Sequence, residues 1–193
     1  MHTTVIQQIK DIPAEEWNSV TGTSNPFLRF EFLAALEQHQ CVGEHHGWLP
    51  RHITAYDDDN QLVGLVPLYL KDNSYGEFVF DWAWADAWHR AGKAYYPKLV
   101  AAIPFTPATG PRLLVHPLAE RTRVVKSLVE AALALTEQTG SSSLHWLFTD
   151  KRDTDTLVEQ GFMRRTGCHF HWSNQHYRNF DDFLSRLTSR KRK

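Results

Sequence analysis

Residues 112–148 read RLLVHPLAERTRVVKSLVEAALALTEQTGSSSLHWLF, and this stretch decides the fold. Between Arg121 and Thr139 the apolar residues recur at the spacing of one helix face. These residues are Val124, Val125, Leu128, Ala131, Ala132 and Leu135. Gly140 is the kind of residue that ends a helix. Apolar runs lie on both sides, and the second covers residues 143–148. A strand, a one-faced helix and another strand predict a sheet that the helix covers.

The segments at the N-terminal end of the chain predict one strand and two helices. Residues 3–9 alternate in polarity and favour a strand. A short helix is predicted from Pro13, because proline and acidic residues are common in a first helical turn. A longer helix is predicted over residues 27–40, after an Asn25–Pro26 cap. These elements would extend the covered sheet toward the N-terminus.

A hairpin is predicted in the next part of the chain. Residues 51–56 and 62–70 favour paired strands, and the polar residues 57–61 favour the turn between them. Pro67 lies inside the second strand and has no N–H to donate to the ladder. We therefore expect a sheet edge or a bulge at Pro67.

The remaining segments complete an alternation of strands and helices. Residues 75–108 are aromatic and irregular in pattern. A short helix is predicted over residues 153–160, a strand over residues 162–172, and an amphipathic helix from Phe180 to the end. The whole order predicts an α/β or α+β protein without an internal linker or repeat.

The composition of the 193-residue chain is that of a globular protein, with 42% hydrophobic residues and a formal net charge of −1. So small a charge gives no global field that attracts nucleic acid or membrane. Two cysteines, Cys41 and Cys168, are too few for a disulfide framework and indicate a reducing compartment. No apolar run approaches the ~20 residues that span a bilayer, and no signal peptide is recognisable. We therefore expect a cytoplasmic protein with no membrane span.

One stretch, FDWAWADAWHR at residues 80–90, combines three tryptophans with two aspartates. As a strand or as a helix, it would place an indole and a carboxylate on one surface. Flat indoles beside Asp81 and Asp86 suit a ligand with hydroxyl, amide or amine groups. We expect the stretch to line a pocket, with Trp84 as a wall. The alternative is a core loop whose acids pair with Arg90 or Lys93.

The residues that follow add polar groups that a ligand could contact. The segment YYPK contributes Tyr95, Tyr96 and Lys98. The proline-rich loop after it carries Thr106 and Arg112 and has little conformational freedom. This loop could present donors to an anion, or it could be a structural connector with a solvated arginine.

Familiar catalytic signatures are absent from the sequence. It contains neither a nucleophile elbow, nor a phosphate-binding loop, nor a dinucleotide-binding fingerprint. The run Cys168-His169-Phe170-His171 is a candidate metal site. Neighbouring strand residues point to opposite faces, so these side chains would not converge on one ion. We predict a structural role for them and no metal.

Several segments together resemble the FemAB-like branch of the GNAT acyltransferase superfamily, whose members are described as N-acyltransferases or peptidoglycan biosynthesis/recognition proteins. The segments are NPFLRFEFLAALE (25–37), GWLPRHI (47–53), LVGLVPLYLK (62–71), YGEFVFDWAWADAW (75–88), YYPKLVAAIPFTPATGPRLL (95–114), and GFMRRTGCHFHWSN with FDDFLSRLTSRKRK within 161–193. The resemblance spans nearly the whole chain. It implies a GNAT-like mixed sheet flanked by helices.

The resemblance also implies a division of labour. Family members contain two tandem GNAT-like halves, so residues 1–193 would form a single domain, the first half, with the second half as its partner. In the Fem transferases the first half holds much of the cell-wall precursor, and the tandem enzymes transfer an amino acid from aminoacyl-tRNA to a precursor amine. We expect this half to hold an amine-bearing acceptor. The alternative is a non-catalytic module that recognises peptidoglycan or a partner protein.

The candidate acceptor site combines the polar and aromatic residues named above. It consists of Asp81, Trp84, Asp86, Tyr95, Tyr96, Lys98, Thr106 and Arg112. The carboxylates would bind or deprotonate the acceptor amine. Lys98 and Arg112 would hold a phosphate or carboxylate group.

The donor side departs from the GNAT pattern. Ordinary GNAT enzymes bind the acyl-CoA pyrophosphate at a glycine-rich turn before a helix, where backbone N–H groups are exposed. The corresponding segment here, LAERTRVVKSL (118–128), contains no glycine. We therefore expect this half to bind no cofactor and to be inactive alone, with acyl-CoA or aminoacyl-tRNA as the donor of the full-length protein. The basic run 190–193 could contact tRNA, or it could be a solvated helix end.

Overall fold

The computed structural model describes residues 1–168, 170 and 172–192 of a chain that divides into two compact units, Met1–Phe162 and Met163–Lys193. The elements of the first unit are β1 (His2–Ile6), α1 (Ala14–Thr21), α2 (Phe30–Gln38), β2 (Trp48–Pro50), β3 (His52–Tyr56), β4 (Leu62–Val66), β5 (Leu68–Lys71), α3 (Trp82–Arg90), β6 (Lys98–Ala101), β7 (Leu114–Val115), α4 (Arg121–Gln138), β8 (Leu144–Trp146) and α5 (Lys151–Glu159). The second unit contains α6 (Phe180–Ser185) and a 3₁₀ turn at Ser189–Lys191.

Two four-stranded sheets form the framework of the first unit, in the orders β1-β3-β4-β7 and β2-β5-β6-β8. Their strand pairs are antiparallel except β6 and β8, which run parallel with Leu99 opposite Leu144. The predicted mixed α/β fold is therefore confirmed, with the strands divided between two sheets.

The division between the two sheets falls at Pro67. The sequence predicts one strand over residues 62–70, but β4 ends at Val66 in the first sheet and β5 begins at Leu68 in the second. Proline cannot donate to a ladder, and it restricts the residue before it. The expected irregularity at Pro67 is thus the point where the chain changes sheets.

Helix α4 covers both sheets with the apolar face that the sequence predicts. Its buried residues are Val124, Val125, Leu128, Val129, Ala132 and Leu135. They join one core cluster with Ile53 of the first sheet and Leu99 of the second. Gly64 permits the close approach of the helix, since a Cβ atom there would lie 2.5 Å from Cγ1 of Val124. The predicted helix is confirmed, and Gly140 follows it with φ of 60°.

Helices α1 and α2 pack around a second core cluster that contains Trp17. The indole of Trp17 is fully buried and donates its N–H to the Leu28 carbonyl at 2.9 Å. Helix α2 begins at Phe30 rather than at residue 27, because residues 26–28 form a 3₁₀ turn. The predicted cap at Asn25 is present, but it caps this turn, where its side chain accepts from the Phe27 N–H.

Two secondary-structure predictions for the C-terminal part of the chain differ from the structure. The strand predicted over residues 162–172 is wrong for its described residues, which have no regular secondary structure; His169 and His171 lie outside the described part. Residues 163–168 are all exposed, so no apolar surface holds them as a strand. The helix predicted from Phe180 ends at Ser185, because Thr188 is extended and separates it from the last turn.

Candidate functional site

The loop between β5 and α3, residues 72–81, reverses the usual distribution of polar and apolar side chains. Glu77 and Asp81 are buried, with exposures of 3% and 2%, whereas Phe78 and Phe80 are 49% and 71% exposed. Phe78 and Phe80 have positive φ values of 59° and 42°. Residues other than glycine adopt such angles only where surrounding contacts hold them. The loop is therefore held in place by its inward-facing acids.

Lys98 is the residue that holds these acids. It lies at the start of β6, its side chain is fully buried, and its ammonium has three donors to satisfy. These donate to Ser74 Oγ at 2.9 Å, Glu77 Oε2 at 2.8 Å and Asp81 Oδ2 at 2.5 Å. Tyr95 also donates its hydroxyl to Asp81 Oδ2, at 2.6 Å. We call Ser74, Glu77, Asp81, Tyr95, Tyr96 and Lys98 the Lys98 network; Tyr96 joins it through a 2.8 Å contact with Ser74.

A second buried lysine lies beside the Lys98 network. Lys71 of β5 is the cross-strand partner of Lys98, and it is also fully buried. Its ammonium lies 3.9 Å from the centre of the Trp48 ring and donates to the Tyr75 carbonyl at 3.2 Å. Both lysines thus hold the same loop, one through a backbone carbonyl and one through carboxylates.

The two acids of the loop have pKa values that move in opposite directions. Burial alone would raise the pKa of Asp81, but hydrogen bonds from Lys98, Ser74 and Tyr95 lower it to about 2. Burial raises the pKa of Glu77, and the nearby Lys98 opposes this only in part. One oxygen of each carboxyl, Glu77 Oε1 and Asp81 Oδ1, is buried without a hydrogen-bond partner among the described residues. Asp81 is therefore an anion at neutral pH, whereas Glu77 accepts a proton more readily.

The structure brings together four of the predicted site residues, Asp81, Tyr95, Tyr96 and Lys98. The stretch at residues 80–90 forms helix α3, for which Asp81 is the N-cap residue without a capping hydrogen bond from its side chain. That carboxylate points instead to Lys98 and Tyr95.

The other predicted residues lie outside the Lys98 network. Asp86 is exposed on α3 and forms an ion pair with Arg90 at 3.2 Å, as the alternative interpretation expects for one of the two acids. Trp84 is 51% exposed on the same helix. Thr106 donates its hydroxyl to the Pro104 carbonyl at 3.0 Å. Substrate binding by these residues stays a prediction.

Arg112 is fully buried, and its two terminal guanidinium nitrogens donate within its own loop, whereas Nε has no hydrogen-bond partner among the described residues. The guanidinium donates to the carbonyls of Ala108, Gly110 and Pro111 at 2.8, 3.2 and 3.0 Å. Its backbone N–H donates to the buried carboxylate of Asp153 at 2.6 Å. Burial lowers the pKa of Arg112 to about 10. These contacts favour a structural role, and anion binding by Arg112 stays a prediction.

Sequence reasoning missed Glu77, Ser74 and Lys71. Glu77 lies among aromatic residues in YGEFVFDW, so the argument that selected Asp81 applies equally to it. Ser74 and Lys71 carry no comparable signal, because their importance depends on the strand register that pairs Lys71 with Lys98.

A cavity of about 480 Å³ lies at the N-terminus of helix α4, away from the Lys98 network. Its lining includes the carboxylates of Glu16, Asp57 and Glu120, and none of the predicted site residues. The Glu120 side chain caps the helix and accepts from the N–H groups of Thr122 and Arg123, both at 3.0 Å. The N–H groups that would receive a pyrophosphate thus already bind a carboxylate. These residues do not fit the pyrophosphate of acyl-CoA, in line with the glycine-free segment at 118–128.

Within the described residues there is no cluster of three or more His, Cys, Asp or Glu side chains arranged for a metal. Cys168 is exposed and has a free thiol. The histidines of the Cys168–His171 run fall outside the part of the chain that the structure describes. Nor does any helix in that part have the length and apolar character needed to cross a membrane.

Several solved structures with a similar fold are acetyltransferases. An aminoglycoside 6′-N-acetyltransferase from Acinetobacter haemolyticus matches with a TM-score of 0.50 and 15% identity, over 91% of this chain and 99% of its own. A ribosomal-protein-alanine N-acetyltransferase from Brucella melitensis matches with a TM-score of 0.53 and 15% identity, over 90% and 100%. These neighbours confirm the predicted GNAT-like fold.

The family is shown by sequence. Residues 8–193 match the model of the FemAB-like proteins, described as peptidoglycan biosynthesis/recognition. The chain therefore belongs to the FemAB-like family and has an acyltransferase-type fold, as the resemblance implies. No curated protein sequence gives a significant match to the chain. The second tandem half and the cytoplasmic location stay predictions.

Proposed function

We propose that this chain holds the amine-bearing acceptor, such as a cell-wall precursor, in an N-acyl or aminoacyl transfer reaction. The observation that carries this proposal is the pair of buried carboxylates, Glu77 and Asp81, each with one oxygen that lacks a partner among the described residues. Membership of the peptidoglycan biosynthesis/recognition family supports the acceptor class.

The two carboxylates suit the two tasks that an acceptor amine requires. An alkyl amine is protonated at neutral pH and must lose a proton before its nitrogen can attack an acyl carbon. The raised pKa of Glu77 makes it the better proton acceptor. Asp81, whose pKa is about 2, keeps its charge and orients Lys98 and Tyr95. Paired acids with separated pKa values are typical of acid–base sites.

Access to these oxygens requires the 72–81 loop to move, because both acids are almost fully buried. Strained backbone such as that of Phe78 and Phe80 is common in segments that change conformation at functional sites. An incoming ammonium would replace part of the Lys98 interaction and would use the unpartnered oxygens.

The test is calorimetric binding of a soluble UDP-linked muramoyl pentapeptide with a free side-chain amine, compared with the same molecule acetylated at that amine. We expect the free amine to bind about tenfold more tightly, or ~1.4 kcal/mol. Glu77→Gln should remove most of this preference, because the amide is neutral. Asp86→Asn is the matched control, since Asp86 contacts Arg90 on the exposed face of α3.

Equal binding of the free and acetylated molecules would contradict the proposal. So would an unchanged preference in Glu77→Gln, or an equal loss in Asp86→Asn. Circular dichroism of each variant checks that it is folded.

A second candidate function is a recognition module that binds a peptidoglycan fragment and transfers nothing. The observation that favours it is the Glu120 cap on the helix end that GNAT enzymes use for the donor. Two results together would favour this module. Glu77→Gln would bind the free-amine pentapeptide as tightly as the unmodified protein does, and the longer protein would transfer no acyl group from any donor. A tRNA donor stays a prediction from the basic run at the C-terminus.

A further inference from the structure

Helix α3 and the loop before it expose an unusual amount of aromatic surface. None of the residues of α3, all of which are described, is buried. The exposed aromatic side chains in and beside this segment are Tyr75 (67%), Phe78 (49%), Phe80 (71%), Trp82 (44%), Trp84 (51%) and Phe105 (41%). We call these residues the aromatic surface.

Two contacts hold parts of the aromatic surface in place. The Tyr75 and Trp82 rings lie 5.2 Å apart, edge to face. Phe105 packs on Gly76, where an added Cβ atom would lie 2.5 Å from the phenyl ring. Exposed aromatic side chains grouped in one segment mark a candidate interaction site. A nine-residue helix without buried residues is also marginal in water alone, so a partner would stabilise it.

The chemistry of the segment indicates which partner fits. Its exposed large hydrophobic residues are Phe, Tyr and Trp, the residues that concentrate at membrane–water interfaces. Basic residues lie at the end of the helix: His89 and Arg90 in the last turn, and Lys93 three residues after Arg90. Asp86 is the acid of this helix and pairs with Arg90, and Asp72 is exposed at the first residue of the loop, so Lys93 is the cation that the helix end offers to a partner. An aromatic surface beside cationic side chains complements a layer of anionic lipid headgroups.

We propose that the aromatic surface docks on membranes that contain anionic phospholipid, with Phe78 and Phe80 inserted at the interface and Lys93 near the headgroups. The buried contacts of Lys98 with Glu77 and Asp81 fix the loop to the sheet before it meets lipid. A loop fixed in advance loses little conformational entropy on docking, which favours binding. Docking of this kind involves the interface alone and requires no membrane-spanning helix. It goes beyond the proposed acceptor function and does not depend on it.

Vesicle flotation with the full chain tests this proposal. One set of vesicles is pure phosphatidylcholine, and in the other about a third of the lipid is phosphatidylglycerol. We expect about tenfold more bound protein on the anionic vesicles. Phe78→Ser/Phe80→Ser should abolish binding, whereas Leu118→Ser, which alters a 91% exposed apolar residue elsewhere, should bind as the unmodified protein does. Quenching of tryptophan fluorescence by brominated lipid should follow flotation.

Charge is tested with a second pair of variants. Arg90→Gln/Lys93→Gln should lose most of the preference for anionic vesicles. Lys126→Gln/Arg152→Gln removes two exposed cations on α4 and α5 and should retain it. All four variants change exposed side chains, so circular dichroism should show unchanged folding.

Three results would overturn the proposal. The first is no binding to either kind of vesicle, and the second is binding that Phe78→Ser/Phe80→Ser leaves intact. The third is a preference for anionic vesicles that Arg90→Gln/Lys93→Gln leaves unchanged and Arg190→Gln/Lys191→Gln removes, which would assign the charge interaction to the basic run. The vesicle experiments contain no acceptor, so their results can be interpreted even if the acceptor-binding experiment fails.

Discussion

Replacing Lys98 by methionine should destabilise the protein strongly. The methionine keeps an unbranched apolar stem but removes the ammonium that Ser74, Glu77 and Asp81 share at 2.9, 2.8 and 2.5 Å. Both acids are at most 3% exposed, so water cannot replace the lost partner without opening the loop. Removing one partner of a buried ion pair costs about 3–5 kcal/mol. That is a large share of the roughly 5–15 kcal/mol by which a domain is stable.

Urea unfolding followed by circular dichroism measures the free energy of unfolding for each variant. The matched control is Lys126→Met, because Lys126 is exposed and lies 3.9 Å from Glu130; we expect a change of less than about 0.5 kcal/mol. The combined variant Lys98→Met/Glu77→Gln/Asp81→Asn should be more stable than Lys98→Met, since neither acid is then left as a buried anion without Lys98. If Lys98→Met differed from the control by less than about 0.5 kcal/mol, the network would carry no net stability and our reasoning would be refuted.

Three further predictions concern other parts of the fold. The pKa of Lys71 is lowered by burial from 10.5 to about 8, so between these values the unfolded chain holds a proton that the folded chain releases. Stability should therefore rise with pH across this window, and Lys71→Met should lack the rise in urea titrations. Acetyl-CoA should show no saturable calorimetric binding to this chain, and micromolar binding would contradict the role given to Glu120 as a helix cap. The same role predicts that Glu120→Ala lowers the free energy of unfolding by ~1 kcal/mol in thermal unfolding, because the cap is lost. Leu128→Asp should prevent folding, because an unpaired charge in the core costs several kcal/mol, and a cooperative unfolding transition in this variant would show otherwise.

The sequence predicts best the elements whose burial follows a regular period. Helix α4 could be predicted because one face meets two sheets along its whole length, so its apolar residues recur at helical spacing. The strand over residues 162–172 is predicted wrongly, because its sequence does not reveal that residues 163–168 are exposed. Periodicity reports burial only where a neighbouring element exists.

Only part of the candidate site could be predicted from the sequence, because the burial of a loop side chain follows no regular period. Asp81 and Asp86 lie in one stretch and look equivalent, yet one is buried against Lys98 and the other is exposed beside Arg90. The difference depends on contacts distant in sequence, because Lys98 and Tyr95 donate to the Asp81 carboxylate, and no periodic pattern encodes such contacts. Glu77 likewise accepts a hydrogen bond from Lys98, at 2.8 Å.

The register that sets Lys71 opposite Lys98 also constrains how this sequence can diverge. Two ammonium groups side by side in a buried sheet repel each other unless acids compensate them, and the acids are equally costly without the lysines. A single substitution at one of these positions would therefore leave buried charge uncompensated and give a less stable protein. Coordinated substitutions of the lysines and the acids would avoid this loss of stability. Among related sequences, positions 71, 77, 81 and 98 should consequently change as a set, and a lineage that exchanges Lys98 for an apolar residue should already have neutral side chains at 77 and 81.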